Sequence, residues 1–240
     1  MLLEFEHVTG TAKEFRLEDV SFSLPAGFIM GLAGKNGAGK TTLIDYIMNP
    51  KQLYTGIIRI NGVDIRENHV KMRNYIGFVS DVNQFLKDRT AMQNGEILGT
   101  LYENWDTDFF RDAMKKMDLS TAKTVGKMSR GELMKFQMAF AMAHKPALYL
   151  LDEVTAGMDP VFRIDFFKML QEVIRTEEAS VLMTSHIQSE IGQKTDYVGI
   201  MENGKYLDSE RGTPQGNGAS PILANIYLHY VLDNWFDVIV

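Results

Sequence analysis

Residues 28–42 read FIMGLAGKNGAGKTT and join an apolar run to a glycine-rich loop. The apolar run 28–33 predicts a short buried strand, and the spacing of residues 42–48 predicts a helix. A strand that leads directly into a glycine loop and then a helix is the context that a phosphate-binding loop requires. The backbone N–H groups of such a loop close around a phosphate, and the positive end of the following helix adds to the attraction. The stretch therefore predicts a nucleoside-triphosphate site.

Individual residues of this loop have separate predicted roles. We expect Lys40 to reach the β- and γ-phosphate oxygens and Thr41 to ligate Mg²⁺. Lys35 is expected to be solvated. The predicted nucleotide-binding residues are Gly34, Asn36, Gly37, Ala38, Gly39, Lys40, Thr41 and Thr42.

A second part of the site is predicted at residues 147–153, which read ALYLLDE. The apolar residues predict a buried strand, and the end of this strand presents two adjacent carboxylates. Asp152 would hold the magnesium shell, while Glu153 would take the proton from the attacking water. A surface acidic pair after a core strand is the alternative, and the glycine loop in the same chain argues against it.

The remaining apolar runs predict a mixed α/β fold. Short runs bounded by helical patterns are typical of a largely parallel sheet with helices on its faces. Asn61-Gly62 predicts the turn of a hairpin. The predicted strands are 20–24, 28–33, 57–60, 76–79, 147–151 and 181–184, with a mostly helical insert at 90–119 and a helix at 133–143.

Composition and charge exclude several classes of function. The 240 residues include 25 Lys and Arg against 31 Asp and Glu, so the net charge of −6 argues against a protein that binds nucleic acid by neutralising phosphates. Because the chain has no cysteine, it has no disulfide, thiolate metal site or cysteine nucleophile. Glu4 and Glu6 are atypical of a signal peptide. The longest uncharged run, 212–232, is broken by glycines and prolines, so we expect no membrane-spanning segment.

The order of these motifs resembles the ATP-binding subunits of ABC transporters. The likeness covers about residues 1–211, and residues 98–105 and 109–119 look like bacterial ATPases that partner antibiotic and multidrug exporters. The motifs that carry the resemblance are the loop at Gly34, IGFVSD at 76–81, MSRGE at 128–132, Asp152-Glu153, AGMD at 156–159 and His186.

This resemblance implies a P-loop NTPase fold of ABC type, with a mixed central sheet, an antiparallel edge sheet and a helical subdomain at about 88–142. It implies an ATPase that uses Mg-ATP and works as a head-to-tail dimer, either as a homodimer or with a paired ATPase subunit. Ser129 and Gly131 of one subunit would cover the ATP bound by the other. His186 would hydrogen-bond the γ-phosphate and fix the water of Glu153. The resemblance further implies permease partners, an exporter function and a cytoplasmic location on the inner membrane face.

Several positions depart from the family pattern. The segment MSRGE at 128–132 corresponds to the signature segment of the family. Arg130 and Glu132 replace the Gly and Gln that are more common there. Asp81 stands where a Gln usually senses Mg²⁺ and the membrane partner, and Gln84 is the competing candidate. We favour Asp81 because a carboxylate can ligate magnesium, although a solvated loop residue is an open alternative. Phe15 is the nearest aromatic residue that could stack on adenine, and a core position for it is equally open.

The segment 212–240 has a different composition from the rest of the chain. It contains no Lys, Arg or Glu, and polar residues at every fourth position from Asn225 predict an amphipathic helix. The segment resembles a piece of a group II intron reverse transcriptase, without the paired catalytic aspartates that hold two metals. Our hypothesis is that an inserted element interrupted the ATPase gene. A native amphipathic end helix is the alternative.

Two further functional readings remain open from the sequence. A soluble ABC-type ATPase of translation or DNA repair is disfavoured, because the chain has one cassette and no sustained heptads. A truncated, insertion-disrupted ATPase that binds ATP without supporting transport is the other alternative.

Overall fold

The computed structural model describes residues 1–12, 15–49, 51–158, 160–177, 179–185, 191 and 194–208. Three of the sequence predictions lie outside these residues: the role of His186, the Asp159 position of the AGMD motif, and the whole segment 212–240.

Two sheets form the framework. The first is antiparallel and has the strand order β2-β1-β4-β5, and the second has the order β10-β9-β3-β8-β7-β6. In the second sheet, neighbouring strands are parallel except for β9 and β10. The strands are β1 Leu3–Ala12, β2 Phe15–Leu24, β3 Ile29–Ala33, β4 Tyr54–Ile60, β5 Val63–Asp64, β6 Ile76–Ser80, β7 Leu148–Asp152, β8 Ser180–Ser185, β9 Tyr197–Glu202 and β10 Lys205–Asp208. The predicted mixed central sheet and antiparallel edge sheet are confirmed.

The central strands are buried along their whole length because both faces of the sheet are covered. Every residue of β3, β7 and β8 is buried. Alternate residues enter opposite layers, as the two-residue period of a strand requires. In β7, Tyr149 and Leu151 pack into one apolar cluster, and Leu148 and Leu150 pack into the other. Two cores, one on each side of the sheet, therefore hold these strands in place.

The helices flank this sheet, and their sequences contain the residues that start them. Thr90 and Ser129 each form a capping box with the residue three positions later, and the Asp106 side chain accepts the N–H of Phe109. These caps begin α3, α5 and α4. Helices α3 and α4 confirm the predicted helical insert at 90–119, and α5 confirms the helix predicted at 133–143. The helices are α1 Lys40–Met48, α2 His69–Asn74, α3 Ala91–Leu98, α4 Thr107–Lys116, α5 Arg130–Met142 and α6 Pro160–Glu177.

Turn geometry confirms the predicted hairpin and reveals a second one. Asn61 and Gly62, between β4 and β5, both have positive φ, as a tight two-residue hairpin turn requires. The turn between β9 and β10 packs against the phosphate loop, because the N–H of Gly204 donates to the carbonyl of Ala38. A Cβ at Gly204 would collide with the carbonyl oxygen of Arg16, so this close approach requires glycine. The second hairpin thereby supports the phosphate loop.

A buried histidine lies where the helical layer meets the sheet. His144 is 2% exposed, and its ring stacks on Tyr102 with 4.0 Å between ring centroids. Burial lowers the pKa of His144 from 6.5 to about 4. The imidazole is therefore neutral in the folded protein at neutral pH.

We expect this histidine to make the fold sensitive to acid. Since the folded pKa is the lower one, the unfolded chain binds the extra proton as the pH falls below 6.5, and stability is lost from there down to about pH 4. At pH 5 the loss is about 2 kcal/mol for this group. Urea unfolding of the wild type and of His144→Phe between pH 7.5 and 4.5 measures the difference. Parallel stability curves for the two proteins would contradict the assignment.

Candidate functional site

The carboxyl ends of four parallel strands meet at one edge of the central sheet. Ser80, Asp152 and Thr184 lie on one rung across β6, β7 and β8, and Leu32 of β3 continues it. Because the strands are parallel, the residues that follow this rung emerge at the same edge. The phosphate loop, Asp81 and Glu153 are therefore brought together from three separate parts of the sequence between residues 34 and 153.

The phosphate loop adopts the predicted strand, loop and helix arrangement. Gly39 begins α1 in a left-handed conformation, with φ of 108°, and a Cβ there would lie 2.7 Å from the ring of Phe15. Both constraints require glycine at this position. Asn36 and Gly37 lie exposed at the tip of the loop, whereas Ala38 and Lys40 are buried. The aromatic residue Phe15 thus lies directly against the loop.

Lys40 folds back into its own loop. Its ammonium nitrogen donates to the carbonyl oxygens of Gly34 at 2.7 Å and Lys35 at 3.2 Å. The same Nζ lies 3.5 Å from Oε1 of Glu153, and the Lys40 side chain is only 6% exposed. A buried ammonium is stable only where such oxygens surround it. The positive charge of Lys40 therefore lies inside the phosphate loop.

Asp152 is a buried carboxylate with two hydroxyl donors. Its Oδ1 accepts from Thr184 Oγ1 at 2.6 Å and from Thr41 Oγ1 at 3.3 Å. Burial raises the pKa of Asp152, and the hydrogen bonds from Thr184 and Thr41 oppose that rise. The hydroxyl of Thr41 and the carboxylate of Asp152 are hard oxygen donors, as Mg²⁺ prefers.

Glu153 occupies an unusual backbone position. Its φ of 52° is in the left-handed region, which a residue other than glycine seldom adopts. Its N–H donates to Thr184 Oγ1 at 3.0 Å, so Thr184 holds both acidic residues at once. This role of Thr184 was not predicted, since the sequence shows only that Thr184 lies at the end of a predicted strand. Strained backbone of this kind often occurs at functional sites.

The two candidates for the sensing position follow β6. Asp81 comes directly after the strand and is half exposed, and its charge contributes to the raised pKa of Asp152. Gln84 is exposed on the same loop. Within the described residues, no group of three or more acidic or histidine side chains is arranged to hold a metal ion. Thr41 and Asp152 are the donors that the structure brings into direct contact.

The signature segment forms the start of α5. Ser129 Oγ accepts the N–H of Glu132 at 3.3 Å, and Glu132 Oε2 accepts the N–H of Ser129 at 2.8 Å. Lys123 Nζ lies 2.7 Å from the same carboxylate and, with Ser129, lowers the pKa of Glu132 to about 2. A Cβ at Gly131 would have no neighbouring atom within 4 Å. The surface over Gly131 is therefore open in the single chain.

Loop, lysine, threonine and acidic pair together define the class of protein, a nucleoside-triphosphate-binding α/β protein of the P-loop type. Residues 17–156 match the sequence model of one family, described as ABC transporter. The chain belongs to the ABC transporter family.

Individual relatives agree with this membership. The ABC transporter ATP-binding protein YtrB of Bacillus subtilis is 31% identical over 78% of this chain and 64% of its own length. The bacitracin transport ATP-binding protein BcrA of Bacillus licheniformis is 31% identical over 80% of this chain and 63% of its own length. The chain thus spans somewhat less than two thirds of the length of these two proteins.

Solved structures agree with the fold. A dimeric ATP-binding cassette, described as a post-hydrolysis state bound to ADP and Pi, superposes with a TM-score of 0.77 at 20% identity. The match covers 87% of this chain and 98% of that one. At this level of identity the likeness concerns the fold. In the described part of this chain, no helix has the length and apolar character to cross a membrane.

We expect Thr184→Val to destabilise the protein by about 1–3 kcal/mol. The substitution keeps the shape of the side chain but removes the donor to Asp152 and the acceptor of the Glu153 N–H. Thr184→Ser keeps the hydroxyl and is the matched control. Urea unfolding measures the two free energies, and equal stability of the Val and Ser variants would show that these hydrogen bonds contribute nothing.

Proposed function

We propose that this chain is the ATP-binding and ATP-hydrolysing subunit of an ABC transporter that exports its substrate. The observation that carries the proposal is the convergence of Lys40, Thr41, Asp152 and Glu153 beside a glycine loop at the carboxyl edge of the sheet. Relatives named as transport ATP-binding proteins support the same activity. Because the chain spans less than two thirds of those relatives, the activity of the whole assembly is part of the proposal.

The nucleotide would lie along the loop, with its phosphates facing the N–H groups that begin α1. Lys40 would exchange the carbonyls of Gly34 and Lys35 for the β- and γ-phosphate oxygens, since these bear full negative charge. Phe15 lies against Gly39 and is the proposed partner of the adenine ring. The remaining proposed contacts come from the loop residues Asn36, Gly37, Ala38 and Thr42.

Thr41 and Asp152 are the proposed magnesium ligands, with Asp81 as a further carboxylate at the same edge. Their hydroxyl and carboxylate oxygens fit the donor preference of this ion. A bound Mg²⁺ neutralises charge on the transferred phosphoryl group. Because Thr184 donates to Asp152 at 2.6 Å, it holds that carboxylate in place before any ligand arrives.

Glu153 is the proposed general base. The hydrogen bond to Thr184 and the left-handed backbone fix the position of Glu153 directly after β7. His186, two residues beyond Thr184, is the proposed γ-phosphate contact that orients the attacking water. Glu153 would accept a proton from the water that attacks the γ-phosphorus, while the bond between that phosphorus and the bridging oxygen of ADP breaks.

Catalysis would need a second subunit. We assign Ser129 and Gly131 to the ATP of the other copy in a head-to-tail dimer, because the surface over Gly131 is open and the start of α5 carries positive partial charge. A cassette of the same fold is described as dimeric with ADP and Pi bound, which supports the proposal of a dimer. A homodimer and a pair with a related ATPase subunit fit equally well.

A membrane permease is the proposed second partner. Exposed apolar side chains lie on the loop after β6, at Val82 and Leu86, and on or just after α3, at Ile97 and Leu101. Asn94 joins this loop to α3, since its side chain bonds both the N–H and the carbonyl of Leu86. Such a surface suits a permease at the cytoplasmic face of the membrane. The net charge of −6 gives no reason to propose a nucleic acid partner.

The proposed domain organisation places the ATPase domain at 1–211, with the helical subdomain at about 88–142. The segment 212–240 is proposed to be a foreign tail that resembles a group II intron reverse transcriptase. Its support is compositional, because 29 consecutive residues lack Lys, Arg and Glu. A native amphipathic end helix is the competing interpretation.

Glu153→Gln tests the proposed function. We expect ATP binding to persist and hydrolysis to slow by roughly 10²-fold or more, because the amide cannot accept the water proton. With ATP bound and not hydrolysed, the dimer should accumulate. Phosphate release, nucleotide binding and sedimentation measure these three effects, with the exposed Glu96→Gln as control. An unchanged turnover rate in Glu153→Gln would overturn the assignment of the base.

A second candidate function follows from the composition of 212–240. If this segment replaces a natural end, the protein binds ATP without supporting transport. Such a protein would fail to dimerise productively, whereas a working dimer has a site built from two copies. The rate of ATP hydrolysis should then rise as the square of protein concentration at low concentration for the working ATPase. Hydrolysis that is absent at every concentration, together with intact ATP binding, would favour the second candidate.

A further inference from the structure

Two residues that depart from the family pattern face each other. Asp81 follows β6 and Arg130 begins α5, and the two are 49 positions apart in the sequence. Arg130 Nη2 lies 4.0 Å from Asp81 Oδ2, and the two side chains are 51% and 50% exposed. Asp81 and Arg130 therefore form an ion pair between the carboxyl edge of the central sheet and the start of α5.

The elements that carry this ion pair are firmly joined. Gln137 lies two turns after Arg130 on α5 and is buried. Its Oε1 accepts the N–H of Ser80 at 3.1 Å, and its Nε2 donates to the carbonyl of Ser80 at 2.8 Å. Asp81 is the next residue after Ser80. These buried hydrogen bonds hold the backbone that carries Asp81 close to α5, whereas the side chains of Asp81 and Arg130 are themselves half exposed.

The ion pair itself is weak and exchangeable. Both charges are half exposed to water, which screens them. Asp81 also lies close enough to Asp152 to raise the pKa of that carboxyl. Arg130 therefore neutralises the charge of Asp81, which lies near the carboxyl group of Asp152. A more strongly charged anion that reaches Arg130 can displace Asp81.

The other charges at the start of α5 are already satisfied. Glu132 is held by Lys123 and by the N–H of Ser129. Arg130 adds a full positive charge to the partial charge of the helix start, and the next residue is Gly131, over which the surface is open. A guanidinium binds phosphate oxygens through two parallel hydrogen bonds, which makes triphosphate a stronger partner than a solvated carboxylate.

We propose that Arg130 has two alternative partners: Asp81 of its own chain in the single subunit, and the triphosphate held by a second copy when two copies close. In the closed dimer Arg130 is then a binding residue of the composite site, and in the single subunit Asp81 is its ion-pair partner. This proposal rests on the proposed function, because it requires the head-to-tail ATP dimer.

The test uses the full chain in the Glu153→Gln background, in which we expect bound ATP to persist. Sedimentation with Mg-ATP gives the dimer dissociation constant, and we expect Arg130→Ala to raise it about tenfold or more through loss of a charge-assisted phosphate contact. Binding of ATP to the chain's own loop, measured by titration on monomeric protein, should not change. The matched control is Lys127→Ala, an exposed cation three residues earlier, which should leave the dimer constant unchanged.

A charge reversal separates the two partners of Arg130. The double variant Asp81→Arg with Arg130→Asp keeps an ion pair within the chain but places a carboxylate where the triphosphate would lie. Because Asp81 is also a proposed magnesium ligand, binding of Mg-ATP to the monomeric double variant is measured first, and the dimer constants are compared at saturating Mg-ATP. We expect its dimer to be as weak as that of Arg130→Ala, or weaker. Recovery of the parent dimer constant would show that the ion pair alone matters and would overturn the proposal.

The remaining outcomes distinguish this proposal from the proposed function. If the Glu153→Gln parent dimerises with ATP and Arg130→Ala dimerises equally well, the role of Arg130 is wrong and the proposed function stands. If the parent does not dimerise with ATP at any concentration tested, the composite site is wrong, and the role of Arg130 fails with it.

Discussion

The buried carboxylate of Asp152 is the group around which the site is organised. A carboxylate in this position is costly unless donors surround it, and Thr184 and Thr41 supply them from β8 and α1. The same Thr184 hydroxyl accepts the N–H of Glu153. One hydroxyl therefore joins the central strand, its neighbour and the acidic pair. Burial raises the pKa of Asp152, because it disfavours the charged form of the carboxyl group.

A second set of contacts joins this edge of the sheet to the helical layer. Gln137 satisfies both backbone groups of Ser80, at the end of the strand that leads to Asp81. Buried polar groups that are fully paired fix one arrangement of the elements that carry them. The position of α5 relative to the carboxyl end of β6 is consequently fixed. The proposed exchange of Arg130 between two partners depends on that relation, because a freely sliding helix could not present the guanidinium consistently.

Much of the fold could be predicted because its signals are local. The glycine loop, the fully apolar strands and the Asn61-Gly62 turn each follow from a few neighbouring residues, and the structure has all of them. Strand β1 was not predicted, because its pairing is irregular between Glu6 and Thr9. It contains the left-handed residue His7, and its neighbour β2 contains the left-handed residue Asp19. Such irregularities interrupt the alternation that identifies a strand. Strands β9 and β10 were expected only as part of an unspecified edge sheet.

The sequence alone determined the class of site, because phosphate-binding glycines, Lys40, Thr41 and the Asp152-Glu153 pair lie within short contiguous motifs. Only the tertiary structure decided which distant residues support them. Thr184 reaches Asp152 across 32 positions, and Gln137 reaches Ser80 across 57. The contact between Asp81 and Arg130 likewise depends on the docking of α5 beside β6. The residues in these contacts are far apart in the sequence, and the order of the parallel strands and the packing of the helices bring them together. Neither the strand order nor the helix packing is visible in a local stretch of sequence.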